Sequence, residues 1–256
     1  MRAKRLLTIG VLATCLAAGG AAVATAEQAE VIVGNLVLKA DGGFKPQVLP
    51  RRQRVPIRFQ GYATIGTKDN SPPPALRHVK LDFDRDGRLN VAGLPICPPG
   101  RLEARTAKQA RRLCKGAIVG KGQVSAAIDL LGASFRVRSP LTLFNGPRQR
   151  GNPTVVAHAQ TSVPIFQAYV VVAPIERRRG RTFGYRTSFD VPPIAGGAGS
   201  LTRVQARLGR RFAHRGKRRS YVTARCSDGI LQTQGYFSFA DGNVIYGSVF
   251  RSCTPR

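Results

Sequence analysis

The stretch SYVTARCSDGILQTQGYFSFADGNVIYGSVFRSC, residues 220–253, decides the fold class. Two runs rich in aromatic and β-branched residues, Gln232–Ala240 and Asn243–Phe250, flank the dipeptide Asp241-Gly242. Asp-Gly between such runs favours a tight β-hairpin, because Gly adopts a positive φ without steric cost. The sequence therefore predicts that a β-hairpin lies near the end of the chain.

The turn length in this hairpin sets the pairing of its strands. A two-residue turn at Asp241-Gly242 places Phe239 opposite Val244 and Phe237 opposite Tyr246. We expect these four side chains to share one face of the sheet.

Most of the remaining chain also has the pattern of short strands. Gly and Pro clusters separate runs of β-branched and aromatic residues, which is typical of an antiparallel β-sandwich. The predicted strands are residues 30–39, 55–67, 76–83, 117–125, 134–144, 154–161, 166–175, 182–191, 201–212 and 220–225.

One short helix is predicted near residues 106–115. Thr106 and Gln109 form a capping box, in which each side chain satisfies a free backbone N–H. Gly116 follows the last helical turn and is typical of a helix C-terminus. Cys114 falls on the apolar face.

The chain is long enough for one large domain or two small ones, with 256 residues of which 43% are hydrophobic. A weak internal similarity relates Leu76–Val79 to Leu201–Val204. It has two interpretations, a duplicated sandwich or recurrent strand chemistry. We therefore predict a β-rich domain over residues 27–256, with lobes of about 27–150 and 151–256 as an open alternative.

Residues 1–26 have the pattern of a signal peptide. A basic start precedes an apolar run, and Ala24-Thr25-Ala26 fits a cleavage site before Glu27. A transmembrane anchor and a lipoprotein site at Cys15 are the alternatives. We predict export, to the exterior or the cell envelope, with no transmembrane anchor in the mature chain.

Cleavage leaves four cysteines, Cys97, Cys114, Cys226 and Cys253. An even number in an exported chain predicts two disulfides, for which three connectivities exist. We favour Cys97–Cys114 and Cys226–Cys253, because each pair brackets one compact unit. A zinc site is the alternative, although the spacing lacks C-x-x-C. It would need ligands from His78, His158 and His214.

Several cysteine and turn motifs resemble those of a group of secreted, two-disulfide bacterial proteins of unknown function. The resemblance covers most of the mature chain and implies a β-rich secreted protein, but it supplies no catalytic residues. Its motifs are Leu94–Pro98, the helix ending at Cys114, Ala117–Gly122, Leu143–Pro147, Arg225–Gly229 and Phe237–Gly242.

The motif Asp82-Phe-Asp84-Arg-Asp86-Gly87 matches the first half of a calcium loop. Carboxylates at alternate positions can collect around a hard cation, and Gly permits the sharp bend. The twelfth position holds Gly93 instead of a bidentate Glu. The alternative is a plain hairpin turn. A calcium-aided carbohydrate-binding module is accordingly one functional hypothesis.

Basic residues dominate the charge, which is +28 for the whole chain and +25 once Arg2, Lys4 and Arg5 are removed. Guanidinium groups suit phosphate and carboxylate, so anionic envelope polymers are candidate partners. Nucleic acid is disfavoured because no recognised binding motif is present. A solvated surface with a bias toward Arg is the alternative. The anion-binding candidates are Arg177, Arg178, Arg179, Arg181, Arg207, Arg210, Arg211, Arg215 and Arg218.

Catalytic motifs of the G-x-S-x-G, H-E-x-x-H and S-x-x-K types are absent from the sequence. His158 is a candidate general base, with an ordinary strand histidine as the alternative. We therefore predict a non-catalytic exported protein whose Arg-rich surface contacts anionic material, with no cofactor other than the calcium of the alternative. An unrecognised secreted hydrolase is the third hypothesis.

Overall fold

A computed structural model describes residues 25–26, 28–130, 132–162 and 165–256. The predicted signal peptide lies outside the described residues apart from Thr25 and Ala26, and Cys15 and Glu27 lie outside them too.

Strands make up most of the described chain and are numbered β1 to β20 in chain order. They are β1 (Thr25–Ala26), β2 (Gln28–Val33), β3 (Leu36–Lys45), β4 (Val48–Leu49), β5 (Val55–Pro56), β6 (Arg58–Thr67), β7 (Leu76–Asp84), β8 (Gly87–Leu89), β9 (Ile118–Leu130), β10 (Ala133–Gln149), β11 (Asn152–Thr161), β12 (Gln167–Arg177), β13 (Phe183–Asp190), β14 (Gly199–Leu208), β15 (Arg211–His214), β16 (Lys217–Ser220), β17 (Val222–Ala224), β18 (Ile230–Phe239), β19 (Val244–Ser252) and β20 (Thr254–Pro255).

Helical structure is confined, among the described residues, to one α-helix and three short 3₁₀ turns. The helix is α1 (Ala107–Leu113), and the 3₁₀ turns are Pro99–Arg101, Lys115–Ala117 and Ala195–Gly197. The predicted mainly β class with one short helix near residues 106–115 is confirmed.

The principal sheet has 13 strands in the order β1-β19-β18-β7-β13-β12-β11-β10-β9-β14-β6-β3-β2. Its two ends meet. β1 pairs with β19, whereas β2, the next strand along the chain, pairs with β3. Arg251 of β19 also bonds to the carbonyl of Gly42 and to the carboxylate of Asp41, both on β3. The sheet therefore rolls round and closes on itself, with one face inside and one outside.

Strands from both halves of the chain alternate in this sheet. β14 lies between β9 and β6, and β7 lies between β13 and β18. The lobe boundary considered near residue 150 falls in the turn between β10 and β11. The two similar segments, Leu76–Val79 and Leu201–Val204, lie in β7 and β14.

The helix covers part of the outer face. The Thr106 side chain accepts a hydrogen bond from the backbone N–H of Gln109, so the capping box is confirmed. Cys97 and Cys114 form a disulfide, as predicted. Around them lies a buried cluster that includes Phe144 of β10 and Val156 of β11.

The second predicted disulfide, Cys226–Cys253, is also present. It belongs to a buried cluster with Phe44, Leu49 and Ile57. A three-stranded sheet in the order β5-β17-β8 lies in the same region. Together these elements cap one end of the rolled sheet.

The predicted register of the last hairpin is wrong. Phe237 pairs with Ile245, and Tyr246 pairs with Tyr236. The N–H of Phe239 donates to the carbonyl of Asn243, so the loop spans residues 240–242 and is one residue longer than predicted.

The longer loop changes which side chains face the interior. Gly242 has φ +84°, the left-handed conformation that a three-residue hairpin loop requires. One added residue exchanges the two faces of the following strand. Ile245 is consequently fully buried, and Tyr246 is 61% exposed.

Candidate functional site

The rolled sheet encloses a cavity of about 540 Å³. Successive side chains on a strand point to opposite faces. On β7, Val79, Leu81 and Phe83 line the cavity, while Lys80 and Asp82 between them do not. Small and large apolar side chains from the other long strands complete the wall. The inner face is therefore mostly apolar.

β12 shows how both faces of the sheet are used. Val171 and Ala173 line the cavity, whereas Val170 and Val172 pack on the outer face against the cluster around Cys97. Because both faces of this strand are covered, its sequence is an uninterrupted apolar run instead of an alternating one.

Thr187 lies on the inner face and differs from most buried polar residues in its hydrogen bonding. It lies on β13, pairs with Ile175 on one side and Leu81 on the other, and is 4% exposed. Its Oγ1 has no hydrogen-bond partner among the described residues. Buried hydroxyls are generally hydrogen-bonded. The cavity wall thus presents one unsatisfied donor and acceptor to whatever lies inside.

Asp84 also lines the cavity, near the capped end. Its carboxylate accepts hydrogen bonds from the backbone N–H groups of Asp86 at 2.8 Å and Gln232 at 3.1 Å. Burial outweighs these hydrogen bonds and raises the pKa of Asp84 to about 6.

The other two carboxylates of the predicted calcium loop are held by arginines. Both oxygens of Asp82 accept from Arg186, each at 2.8 Å, on the outer face. Asp86, fully buried, accepts from Arg225 at 2.7 Å and from the backbone N–H of Ser227 at 2.6 Å.

The three loop carboxylates therefore accept hydrogen bonds from different groups and do not converge on one point. Burial by itself would raise the pKa of Asp86, but the hydrogen bonds from Ser227 and Arg225 outweigh it and lower the pKa. Among the described residues, no group of three or more His, Cys, Asp or Glu side chains is arranged to hold a metal ion.

The predicted anion-binding arginines lie in two places. Arg177, Arg178, Arg179 and Arg181 are exposed at the hairpin between β12 and β13. Three of them, with Arg186, line a surface cavity of about 570 Å³.

The second group belongs to β14 and the β15–β16 ribbon. Arg207, Arg211, Arg215 and Arg218 are exposed there. Arg210 is different, because its Nη1 donates to the backbone carbonyls of Gly116 and Ile118 at 2.6 and 2.8 Å. β9, β10 and β11 separate this group from the first in the sheet.

His158, the predicted candidate base, is fully buried. Its Nε2 lies 2.9 Å from the carbonyl of Arg105, and burial lowers the pKa of the imidazole. This histidine links β11 to the chain before α1. His214 lies beside Gly93, the residue at the twelfth position of the predicted calcium loop.

His78 occupies an arrangement that the sequence does not indicate. On the outer face, its Nδ1 lies 2.7 Å from Oδ1 of Asp190 and its Nε2 lies 2.8 Å from Oγ of Ser188. The pairing of β7 with β13 brings the three together from positions far apart in the chain. No local motif could have revealed them.

Aromatic and basic side chains lie next to this trio on the same face. The ring of Tyr236 lies 6.5 Å from that of His78 and 5.0 Å from that of Tyr246. The Lys80 ammonium lies 4.6 Å from the Tyr236 ring centroid. Lys80 also pairs directly with Ser188 across the two strands.

No helix within the described part of the chain is long and apolar enough to cross a membrane. Comparisons of the chain with protein-family models, curated proteins and solved structures find no match.

Proposed function

We propose that this chain is an exported binding protein that holds an apolar ligand inside the closed sheet. The cavity of about 540 Å³, lined by the inner face, carries the proposal. That volume lies within the range of small-molecule sites, which are mostly apolar with a few polar groups. Binding there involves no chemical step.

Thr187 indicates the class of ligand. A hydroxyl buried without a partner costs about 1–3 kcal/mol, and a ligand that hydrogen-bonds to it removes that cost. The Thr187 Oγ1 lies between Ile175 and Leu81, in a part of the wall that is mostly apolar. The best-fitting ligand is an amphiphile with a long apolar part and a hydroxyl or carbonyl group near Thr187.

Binding is tested with N-phenyl-1-naphthylamine, a neutral probe that becomes fluorescent in apolar surroundings. A neutral probe avoids attraction to the basic surface. We expect saturable binding with one site per chain. Ala173→Phe, on the cavity wall, should abolish binding, whereas Ala213→Phe, at an exposed position on β15, should leave it unchanged.

Far-UV circular dichroism of both variants controls for unfolding, and the smaller change Ala173→Val provides a graded second variant. A wild-type protein that binds no probe would refute the cavity function.

The role of Thr187 is tested separately by competition with 1-octanol and n-octane. Thr187→Val should weaken the binding of 1-octanol about tenfold, which is the contribution of one hydrogen bond, and leave the binding of n-octane unchanged. Equal effects on both competitors would show that the hydroxyl does not contact the ligand.

The Arg-rich surface supports a second candidate function, contact with anionic material of the cell envelope. Its supporting observation is the exposed hairpin of Arg177, Arg178, Arg179 and Arg181 beside a surface cavity. Guanidinium groups hydrogen-bond to phosphate and carboxylate in paired geometry.

Co-sedimentation with purified cell envelope across a salt series tests this contact. Binding should weaken steeply as salt rises, because salt screens exposed charges. Changing the four hairpin arginines to Gln should reduce binding more than the matched change of Arg211, Arg215, Lys217 and Arg218. Equal losses would indicate attraction by net charge alone.

Export is part of the proposal. Disulfides are typical of oxidising compartments, and both are present here. The supporting sequence features are the signal-peptide pattern before Glu27 and the resemblance to secreted two-disulfide proteins. Mass spectrometry of the protein recovered from outside the cytoplasm should give an N-terminus at Glu27. An intact N-terminus would contradict cleavage.

A further inference from the structure

The outer face of the sheet carries a Ser-His-Asp arrangement that the cavity function does not use. His78 of β7 stands between Ser188 and Asp190 of β13. Its Nε2 lies 2.8 Å from the serine Oγ, and its Nδ1 lies 2.7 Å from the aspartate Oδ1. The two ring nitrogens thus have different partners.

This connectivity is that of an activated nucleophile. A serine hydroxyl becomes nucleophilic when a hydrogen-bonded base takes its proton, and a carboxylate on the other ring nitrogen holds the base in the required tautomer. The same connectivity occurs on unrelated folds, so geometry identifies it and chain order does not. Both distances here lie within hydrogen-bonding range.

The trio is open to substrate. The His78 side chain is 33% exposed and that of Asp190 is 89% exposed. Tyr236 and Tyr246, whose ring centroids are 5.0 Å apart, provide apolar faces beside the histidine. Lys80, the direct cross-strand partner of Ser188, supplies a cation on this face.

We propose that Ser188 is a histidine-activated nucleophile that hydrolyses small aromatic esters at the outer face. The open surface favours small substrates, and the two tyrosines favour an aromatic leaving group. The Lys80 ammonium stabilises the negative charge that develops on the carbonyl oxygen during attack.

The reaction proceeds in two balanced steps. Ser188 Oγ bonds to the ester carbonyl carbon, its proton passes to His78 Nε2, and the alcohol leaves with that proton as its C–O bond breaks. Water then attacks the acyl-serine, gives a proton to His78, and releases the acid as the serine regains its proton. Asp190 is a positioning residue that orients His78 throughout.

Hydrolysis of p-nitrophenyl acetate by the intact protein tests the proposal. Ser188→Ala and His78→Ala should each lower the rate by about 100-fold, the usual contribution of a general base. Ser238→Ala is the matched control, because Ser238 lies opposite His78 on β18 and its hydroxyl makes no hydrogen bond to another described residue. It should retain the wild-type rate.

Two further variants separate the roles. Asp190→Asn should lower kcat with KM unchanged, since the Asp190 carboxylate acts through His78. Tyr236→Ala should raise KM with little change in kcat, since the ring contacts the leaving group.

A fluorophosphonate probe identifies the nucleophile directly. Trypsin should release the labelled peptide Thr187–Arg203, with tandem mass spectrometry placing the label on Ser188 and not on Ser200. A Ser188→Ala protein as active as the Ser238→Ala protein, or a label at another residue, would overturn the proposal. Circular dichroism confirms that the variants remain folded.

Discussion

Thr187 and Ser188 are neighbours on β13, yet they lie on opposite faces of one sheet. Thr187 is buried in a mostly apolar wall, and its hydroxyl has no hydrogen-bond partner in the part of the chain that the structure describes. Ser188 is half-buried and lies within hydrogen-bonding distance of His78, which is also close to the Asp190 carboxylate. The inner face is uniform over many strands, and the outer face changes from polar clusters to the apolar patch under α1. One strand can therefore support binding on one side and surface chemistry on the other.

Adjacent residues on β7 give the strongest test of this contrast. Leu81→Asp places a carboxylate in the apolar interior and should lower the free energy of unfolding by at least about 4 kcal/mol. Lys80→Gln, on the outer face, should cost about 1 kcal/mol or less, mainly the contact with Tyr236. Urea unfolding followed by circular dichroism suits a chain without tryptophan. Equal losses in the free energy of unfolding would mean that the inner face is no less tolerant of a charge than the outer face is of losing one.

The apolar part of the outer face depends on the first disulfide. Cys97→Ala with Cys114→Ala should lower the free energy of unfolding by about 3 kcal/mol, mainly through freedom gained by the unfolded chain. Hydrogen exchange should rise over α1 and over Phe144 and Val156 beneath it. The matched pair, Cys226→Ala with Cys253→Ala, should leave exchange at α1 unchanged. Unaltered exchange at α1 in the first variant would contradict this assignment.

Asp84 lines the cavity near its capped end, and its titration tests how strongly that position is shielded from water. Burial raises its pKa from 3.8 to about 6, so the folded state binds a proton more tightly than the unfolded state. The stabilisation from that proton is fully present below about pH 4 and is lost as pH rises through about 6.

The effect is isolated by comparing wild type with Asp84→Asn in urea at pH 4 and pH 7. The free energy of unfolding of wild type, relative to that of the variant, should be lower at pH 7 than at pH 4. Parallel changes in the two proteins would show that Asp84 does not titrate in this range. The comparison removes contributions from the other carboxylates, which both proteins share.

The smallest expected effect concerns single hydroxyls. Thr187→Val should raise the free energy of unfolding by up to about 1 kcal/mol, because it removes an unsatisfied buried hydroxyl. Thr154→Val should lower it by about 1 kcal/mol, since Thr154 is fully buried and its Oγ1 donates to the Pro147 carbonyl at 2.8 Å. Changes of the same sign in the two variants would contradict the distinction between an unsatisfied and a hydrogen-bonded buried hydroxyl.

Features that depend on nearby residues could be predicted from the sequence. The capping box of Thr106 and Gln109 is local, and each disulfide joins cysteines that bracket one compact unit. The predicted register of the last hairpin was wrong because the Asp241-Gly242 dipeptide fits a loop of two residues and a loop of three residues equally well. That single residue exchanged Ile245 and Tyr246 between the faces.

Features that depend on distant pairing could not be predicted. The cavity exists because β19 meets β2 and β3, and the trio of His78, Ser188 and Asp190 exists because β7 pairs with β13. Neither pairing has a local signature. The loop aspartates gave a motif in sequence, but their arginine partners Arg186 and Arg225 come from other segments.

Closure of the sheet has a consequence for how the chain folds. Gly247 of β19 lies beside Val31 of β2, and Arg251 reaches Asp41. Contacts between such distant residues form slowly, because the chain entropy is lost before the contacts compensate for it. The apolar inner face therefore remains accessible until β19 has been synthesised. A chain that closes this late is exposed to aggregation until its last strands arrive.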